Sequence, residues 1–502
     1  MTNNIQGISI VALAHKIIRL KQMLMALTIV SGTGYGLPAF SANLLDIVNL
    51  AAKNDQILKA ADQNRMAIAE NRPIAQSGLL PQIAGAAGLS YNRTDIQSGG
   101  LATAPSVIKG SGSNVGLSLN QVIYNRIDNL NLGVADLQAK QADLDYAAAQ
   151  QNLILRASQA YFAVLKSNAS LQLSIASQKA FRNQLEQAQK RFEVGLIAVT
   201  DVANAQANFD KANADIITNR NALENAQAAL ATMIGQEPSE LDDVQTNLAT
   251  PHPNPENLSA WTELAVKQNI TLQSAEIGGQ ISQENVAINR AASAPTVNLT
   301  GQYGYNSAPS PFNGNQTSNL AGSIGVQVAV PLYTGGRINA KSRQAAFQYQ
   351  QTQNQIENLR RSTQQGTAND YRGVLTTISE ITAYEQAVES ARTSLAATEA
   401  GYQVGTRTIV DVLNAQAQVF TAMASFLNAR YNYLVSSLQL KADTGQLTID
   451  DIKAINDQLV PGKINALIAP LMNGDQEGRK AQQQMIERVI QRAAKTVGTN
   501  AK

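Results

Sequence analysis

Hydrophobic and polar positions along this chain follow two rhythms, and the same succession of them occurs twice. Residues 44–77 carry Leu and Ile at helical spacing among Ala, Gln and Asn, and the pattern stops before Leu79-Leu80-Pro81, where proline ends a helix. IAGAAGLSYN (83–92) and VGLSLNQVIY (115–124) then alternate with the period of strands. The polar stretch DIQSGGLATAPSVIKGSGS between them reads as a Gly/Ser/Pro loop. In the second half a helical segment near 258–290 ends before Ala294-Pro295, and TVNLTGQYGY (296–305) alternates. A loop, NSAPSPFNGNQTSNLAG, follows, and SIGVQVAVPLY (323–333) sets Ile324, Val326, Val328, Val330 and Leu332 on one face. Tyr124 and Tyr333 close the two second strands of this reading.

After each strand pair the pattern turns helical and stays so. No proline interrupts Arg126–Val194 or the stretch from Arg337 to Val404, and glycines are few. Each is about 100 Å long at the helical rise per residue, far beyond the usual helix of about 11–12 residues. Return helices are expected at about 201–234 and 408–444. The tips between outgoing and return helices are themselves a repeat. VGLIAVTDVANAQANF (194–209) and VGTRTIVDVLNAQAQV (404–419) share eight of sixteen positions at an offset of 210 residues. The expected organisation is a first repeat over 42–248, a Pro-rich linker at 249–257, a second repeat over 258–460 and a polar tail over 461–502.

Strands of about ten residues with one apolar face suit a membrane β-barrel, and equally a small soluble sheet covered on one side. Four strands do not close a barrel, which takes about eight, and an open edge cannot sit in lipid. If the strands meet a membrane, chains must pool them, and three chains supply twelve. The long helices are rich in Ala, Gln and Asn. Ala seams suit close lateral contact and amides suit a wetted wall, so a hollow cylinder of coiled-coil pairs fits, as does a dimeric rod that leaves the strand pairs unexplained.

Composition narrows the class further. The net charge of +2 over 502 residues gives no nucleic-acid footprint. The absence of cysteine excludes disulfides, zinc-thiolate sites and thiol catalysis. Lys16, Arg19 and Lys21, the apolar run Met23–Val30 and Ala39-Phe40-Ser41 compose a leader over 1–41 with the mature chain starting at Ala42. Its removal takes the net charge from +2 to −1, since it carries those three cations and no acid. No later run approaches the roughly 18 apolar residues of a membrane-spanning helix. The tail carries seven basic and three acidic residues and is expected to be mostly disordered. His15 and His252 are the only histidines, and no phosphate loop, nucleophile elbow or metal-ligand spacing occurs, so no catalytic residue, cofactor or metal is assigned. The rival to a channel is a periplasmic coiled-coil adaptor or a surface structural protein. Adaptors do not need two symmetrically placed strand pairs.

YQVGTRTIVDVLNAQ (402–416) with NARYNYL (428–434), RFEVGLIAVTDVANAQ (191–206) and VPLYTGGR (330–337) closely resemble the TolC family of outer-membrane channel-tunnels. The resemblance runs in order from about residue 43 to about 455 and fades in the tail. It implies a mixed α and β fold: a homotrimeric twelve-stranded β-barrel in the outer membrane, continuous with a long α-helical barrel crossing the periplasm. It also implies an exit duct for efflux and type I secretion, coupled through an adaptor to an inner-membrane pump or ABC transporter.

At the tips it implies gate links between subunits, Asp201 with Arg407 and Thr200 with Tyr402, and an adaptor groove at Val194, Gly195, Leu196, Val404 and Gly405. Each has a plainer reading. Thr200, Asp201 and Asp411 suit helix starts, and glycine suits a helix C-cap at positive φ. The family's constriction carries two aspartate rings three residues apart. Here the first position is Asp411 and the second is Asn414, so a trimer is expected to present three carboxylates rather than six.

Overall fold

A computed structural model describes residues 42–95, 107–309, 315–461 and 467–468. The leader expected over 1–41 lies outside them, as does the tail over 461–502 apart from residues 461, 467 and 468. The first half opens with α1 (Leu44–Asn54), α2 (Gln56–Ala69) and α3 (Asn71–Ser77). Next come β1 (Gln82–Asp95) and β2 (Val107–Tyr124), then α4 (Arg126–Glu193), α5 (Val199–Ile234) and β3 (Asp243–Val244). The second half has α6 (Leu258–Gln268), α7 (Ile270–Ala291), β4 (Thr296–Pro309), β5 (Gln316–Ala329), α8 (Arg337–Gln403) and α9 (Ile409–Asp443). It closes with α10 (Ile449–Asn456) and β6 (Leu459–Val460), the latter pairing with β3.

The long helices fall where the pattern placed them, 68 and 67 residues each. The shorter segments differ from the expectation: each is broken by a capping side chain, and the first is broken again at Glu70, which makes no side-chain cap. Asp55 leaves the helical region at ψ 122° and accepts the Leu58 N–H at 2.7 Å. Asn269 does the same for Leu272 at 2.9 Å. Each capped break also ties down the end of its own half's return helix. The Asn54 amide donates to the Ile234 carbonyl at 2.6 Å, and the Asn269 amide donates to the Asp443 carbonyl at 2.8 Å.

The strands also correct the sequence reading. VIKGSGS (107–113), read as loop, is the first part of β2, and QTSNLAG (316–322) is the first half of β5. Tyr124 closes β2, but β5 ends at Ala329, so Val330, Leu332 and Tyr333 lie beyond it. These Gly/Ser-rich segments pair because a partner strand runs alongside: Asp95 faces Val107 and Asn306 faces Asn319. Partner geometry overrides a weak local preference.

All four long strands form one antiparallel sheet in the order β1-β2-β4-β5, leaving β1 and β5 as edges. The register places Ala87 beside Val115, Val115 beside Tyr305 and Tyr305 beside Leu320. Successive residues alternate faces, so Ile83, Leu89, Tyr91, Val115, Leu117, Tyr303, Tyr305, Leu320, Ile324, Val326 and Val328 share one face. All of them are exposed, Leu89 to 90%. The other face carries Ser118, Asn120, Gln302, Ser323 and small residues.

The main core lies where the short helices meet the middle of the long ones. Leu44, Ile47 and Val48 of α1 pack with Tyr161, Phe162 and Leu165 of α4, Leu230 and Ile234 of α5, and Met423, Leu427 and Leu434 of α9. A polar network stitches the 241–245 segment into it. The Tyr161 hydroxyl donates to the Asp242 carbonyl at 2.6 Å, and the Tyr431 hydroxyl donates to Asp243 Oδ1 at 2.9 Å. Buried Arg430 donates to the Gln245 carbonyl and lies over the Phe426 ring. Desolvation depresses the Arg430 guanidinium and raises the Asp243 carboxyl.

Candidate functional site at the hairpin tips

Both outgoing helices end in one motif, which explains why the Val-Gly pair recurs. At the first tip the Gly195 N–H donates to the Phe192 carbonyl and the Leu196 N–H to the Arg191 carbonyl, at 2.8 and 2.9 Å. At the second, Gly405 donates to Tyr402 and Thr406 to Gly401, at 3.2 and 2.8 Å. These are Schellman turns, which need a left-handed residue just past the cap, and Gly195 and Gly405 sit at φ 73° and 81°. The plainer reading of the glycines therefore holds. The neighbouring Val194, Leu196 and Val404 are left exposed, each by about 70% or more.

The starts of the return helices differ. At the second tip Thr408 and Asp411 close a capping box. Asp411 Oδ2 accepts from the Thr408 N–H and hydroxyl at 2.9 Å each, and the Asp411 N–H donates back to Thr408 Oγ1. Those two bonds, with the nearby Arg407 charge, hold the Asp411 carboxyl below the usual range. At the first tip the cap is Ala198, which has no side-chain acceptor. Asp201, the repeat counterpart of Asp411, is half-buried, and among the described residues its carboxylate has no partner within the protomer. Thr200 is exposed on the same turn, as is Asn414 one turn after Asp411.

A second apolar cluster joins the two tips. Phe181, Leu185 and Ala188 of α4 and Ala205 and Ala212 of α5 pack with Ile409 and Leu413 of α9, and Tyr402, Ile197 and Val202 lie against them. The Arg191 guanidinium lies over the Tyr402 ring, 4.6 Å from its centre. Arg407 folds back over the last turn of α8: a methyl group at Gly401 would lie 2.8 Å from Arg407 Cγ. So all the tip residues singled out in the sequence lie on the two tips. Among the described residues of one protomer, however, no ion pair joins Asp201 to Arg407 and no hydrogen bond joins Thr200 to Tyr402. Sequence reasoning missed Arg191, Gly401 and Thr408. The T-x-x-D spacing at 408–411 is a readable sign of the last.

Two blocks of the chain, residues 47–236 and 261–446, match the family model of the outer membrane efflux protein. The outer membrane protein TolC of Vibrio cholerae serotype O1 is 38% identical over 426 residues, covering 84% of this chain and 95% of the relative. The alkaline protease secretion protein AprF of Pseudomonas aeruginosa is 29% identical, covering 85% of this chain and 89% of the relative. The CmeC outer membrane channel of Campylobacter jejuni superposes with a TM-score of 0.70 at 20% identity, covering 87% and 95% of the two chains. The chain belongs to the outer membrane efflux protein family, among the TolC-like outer-membrane channels.

Proposed function

We propose that this protein is the outer-membrane exit duct of efflux and type I secretion systems, passively conducting cargo handed on by an adaptor and an inner-membrane pump or ABC transporter. The observation that carries the reading is the sheet. One face is apolar across all four strands, and among the described residues both edges are unpaired. Lipid tolerates the face but not the edges. Three chains joined β5 to β1 give a closed twelve-stranded barrel with its apolar face outward. The helices of about 100 Å then continue the duct away from the membrane.

In this reading residues 1–41 are the leader, the two repeats build the mature channel, and the tips form its periplasmic gate. Asp201, which has no partner in its own protomer among the described residues, pairs with Arg407 of the adjacent copy, and Thr200 meets Tyr402 in the same way. An exposed ion pair is worth about 0–1 kcal/mol, which around a threefold ring biases a two-state gate without locking it. Exposed Val194, Leu196 and Val404, on the turns of Gly195 and Gly405, offer the adaptor its groove. An adaptor that binds open tips better than closed ones opens the channel. Asp411 and Asn414 form the constriction.

The test is ion conductance of the purified protein in a planar lipid bilayer, wild type beside Arg407→Ala. Small steady currents that rise in the variant support both pore and gate. Currents unchanged by the substitution keep the pore and move the gate elsewhere. A folded protein that never inserts overturns the reading.

A further inference from the structure

We propose that Arg191 is a positioning residue that holds Tyr402 and thereby latches the two tips of one protomer together. The latch rests on the reading of the tips as a gate, and it adds a contact within the protomer to the contacts between protomers. Arg191 lies in the last turn of α4 and Tyr402 in the last turn of α8, 211 residues apart in sequence, yet the guanidinium sits 4.6 Å from the ring centre. Tyr402 also packs against the apolar cluster that holds residues of both hairpins, Leu185 and Ala188 of the first and Ile409 and Leu413 of the second among them. Tyr402 thus meets a cation from the first hairpin and an apolar cluster built from both.

The repeat shows how this came to be one-sided. At the 210-residue offset Tyr402 corresponds to Phe192, and Arg191 corresponds to Gly401. Phe192 is 45% exposed, and no cation lies over its ring among the described residues. Gly401, where the first tip has its arginine, leaves the space that Arg407 occupies. One duplicated position therefore serves two ends: at the first tip it supplies the cation that holds Tyr402, and at the second its missing side chain seats Arg407. Any opening that draws the second tip away from the first must break the Arg191–Tyr402 contact. A contact of this kind at a partly exposed site changes a two-state population by about two- to fivefold.

The experiment is bilayer conductance of the intact oligomer with Arg191→Ala, and separately Arg191→Gln, in three backgrounds: wild type, Tyr402→Phe and Tyr402→Leu. The Phe background keeps the ring and the Leu background removes it. The expected result is a rise of at least about twofold in the wild-type and Phe backgrounds, and no further rise in the Leu background. An equal rise in the Leu background overturns the latch, because Arg191 then acts through something else, such as the dipole of its own helix end. No rise in any background, while Arg407→Ala still raises the current, also overturns it and leaves the gate reading standing. Conductance insensitive to Arg407→Ala as well removes the gate from the tips and the latch with it.

Discussion

Thr408 and Asp411 bond each other at the start of α9, whereas their repeat counterparts Ala198 and Asp201 do not. One duplicated acid is thus occupied in its own helix cap, and the other has no partner in its own protomer among the described residues. A capping hydroxyl contributes about 1 kcal/mol. Thr408→Ala is expected to speed hydrogen exchange of the Asp411 amide by about fivefold, the factor that free energy implies, and to leave the first tip unchanged. Ala198→Thr should slow exchange at Asp201 by adding a side-chain acceptor beside the Ala198 carbonyl, to which the Asp201 N–H already donates at 3.1 Å. Equal rates in wild type and Thr408→Ala would show that the box contributes nothing in solution.

Asp411 and Asn414, three apart on α9, occupy neighbouring places on the helix surface. In the proposed trimer they would form one ring of carboxylates and one ring of amides. Asn414→Asp is expected to strengthen block of the current by polyvalent cations, since six charges replace three. Titrating conductance with such a cation in both proteins decides it. Overlapping curves would place position 414 away from the pore.

The long helices were legible almost to the residue, because Arg126–Glu193 and Arg337–Gln403 lack proline and end at a Val-Gly signal that needs no tertiary context. The tips were legible as well, since duplication marks them in the sequence. What could not be read depends on a partner. VIKGSGS and QTSNLAG have turn-like composition and become strand where Leu89–Asp95 and Tyr303–Pro309 run beside them. Arg191 and Tyr402 meet across 211 residues, and no local pattern announces a cation over a ring. The breaks at Asp55 and Asn269 lie between. The similar words AAKNDQIL and AVKQNITL carry them, and their shared Asx caps become evident once the two are set side by side.

Gly405 and Gly445 are both left-handed, at φ 81° and 71°, but their surroundings differ. Space around Gly405 is open, so Gly405→Ala meets only the backbone penalty of about 1–2 kcal/mol. A methyl group at Gly445 would overlap the Gln268 carbonyl oxygen at the α6–α7 break. Gly445→Ala is therefore expected to abolish recovery of the folded protein, while Gly405→Ala yields assembled protein with an altered gate. Yield and mobility of the assembled form distinguish the two. Equal recovery would mean that the break at Asn269 shifts freely.

Asp370 of α8 and Asp443, the last residue of α9, face each other in the middle of the molecule. Asp443 Oδ2 lies against Gly366, one turn before Asp370, and Asp443 Oδ1 accepts from Gln439 Nε2 at 2.9 Å. Burial, then the hydrogen bond to Asp443 and its charge, push the Asp370 carboxyl up to about 7. An unfolded chain leaves that carboxyl near its ordinary value of 3.8. Between these values the folded state holds a proton that the unfolded state has released, so the pair's contribution is full below about pH 4 and declines as pH rises through about 7. Above that it is constant. Asp443→Asn removes the facing charge, lowers the Asp370 value and flattens the slope. The unfolding temperature of the detergent-solubilised protein should therefore fall from pH 4 to pH 8 more steeply in wild type than in Asp443→Asn, with the variant more stable at pH 8. Parallel curves would show that the two carboxyls do not share a proton in the folded protein.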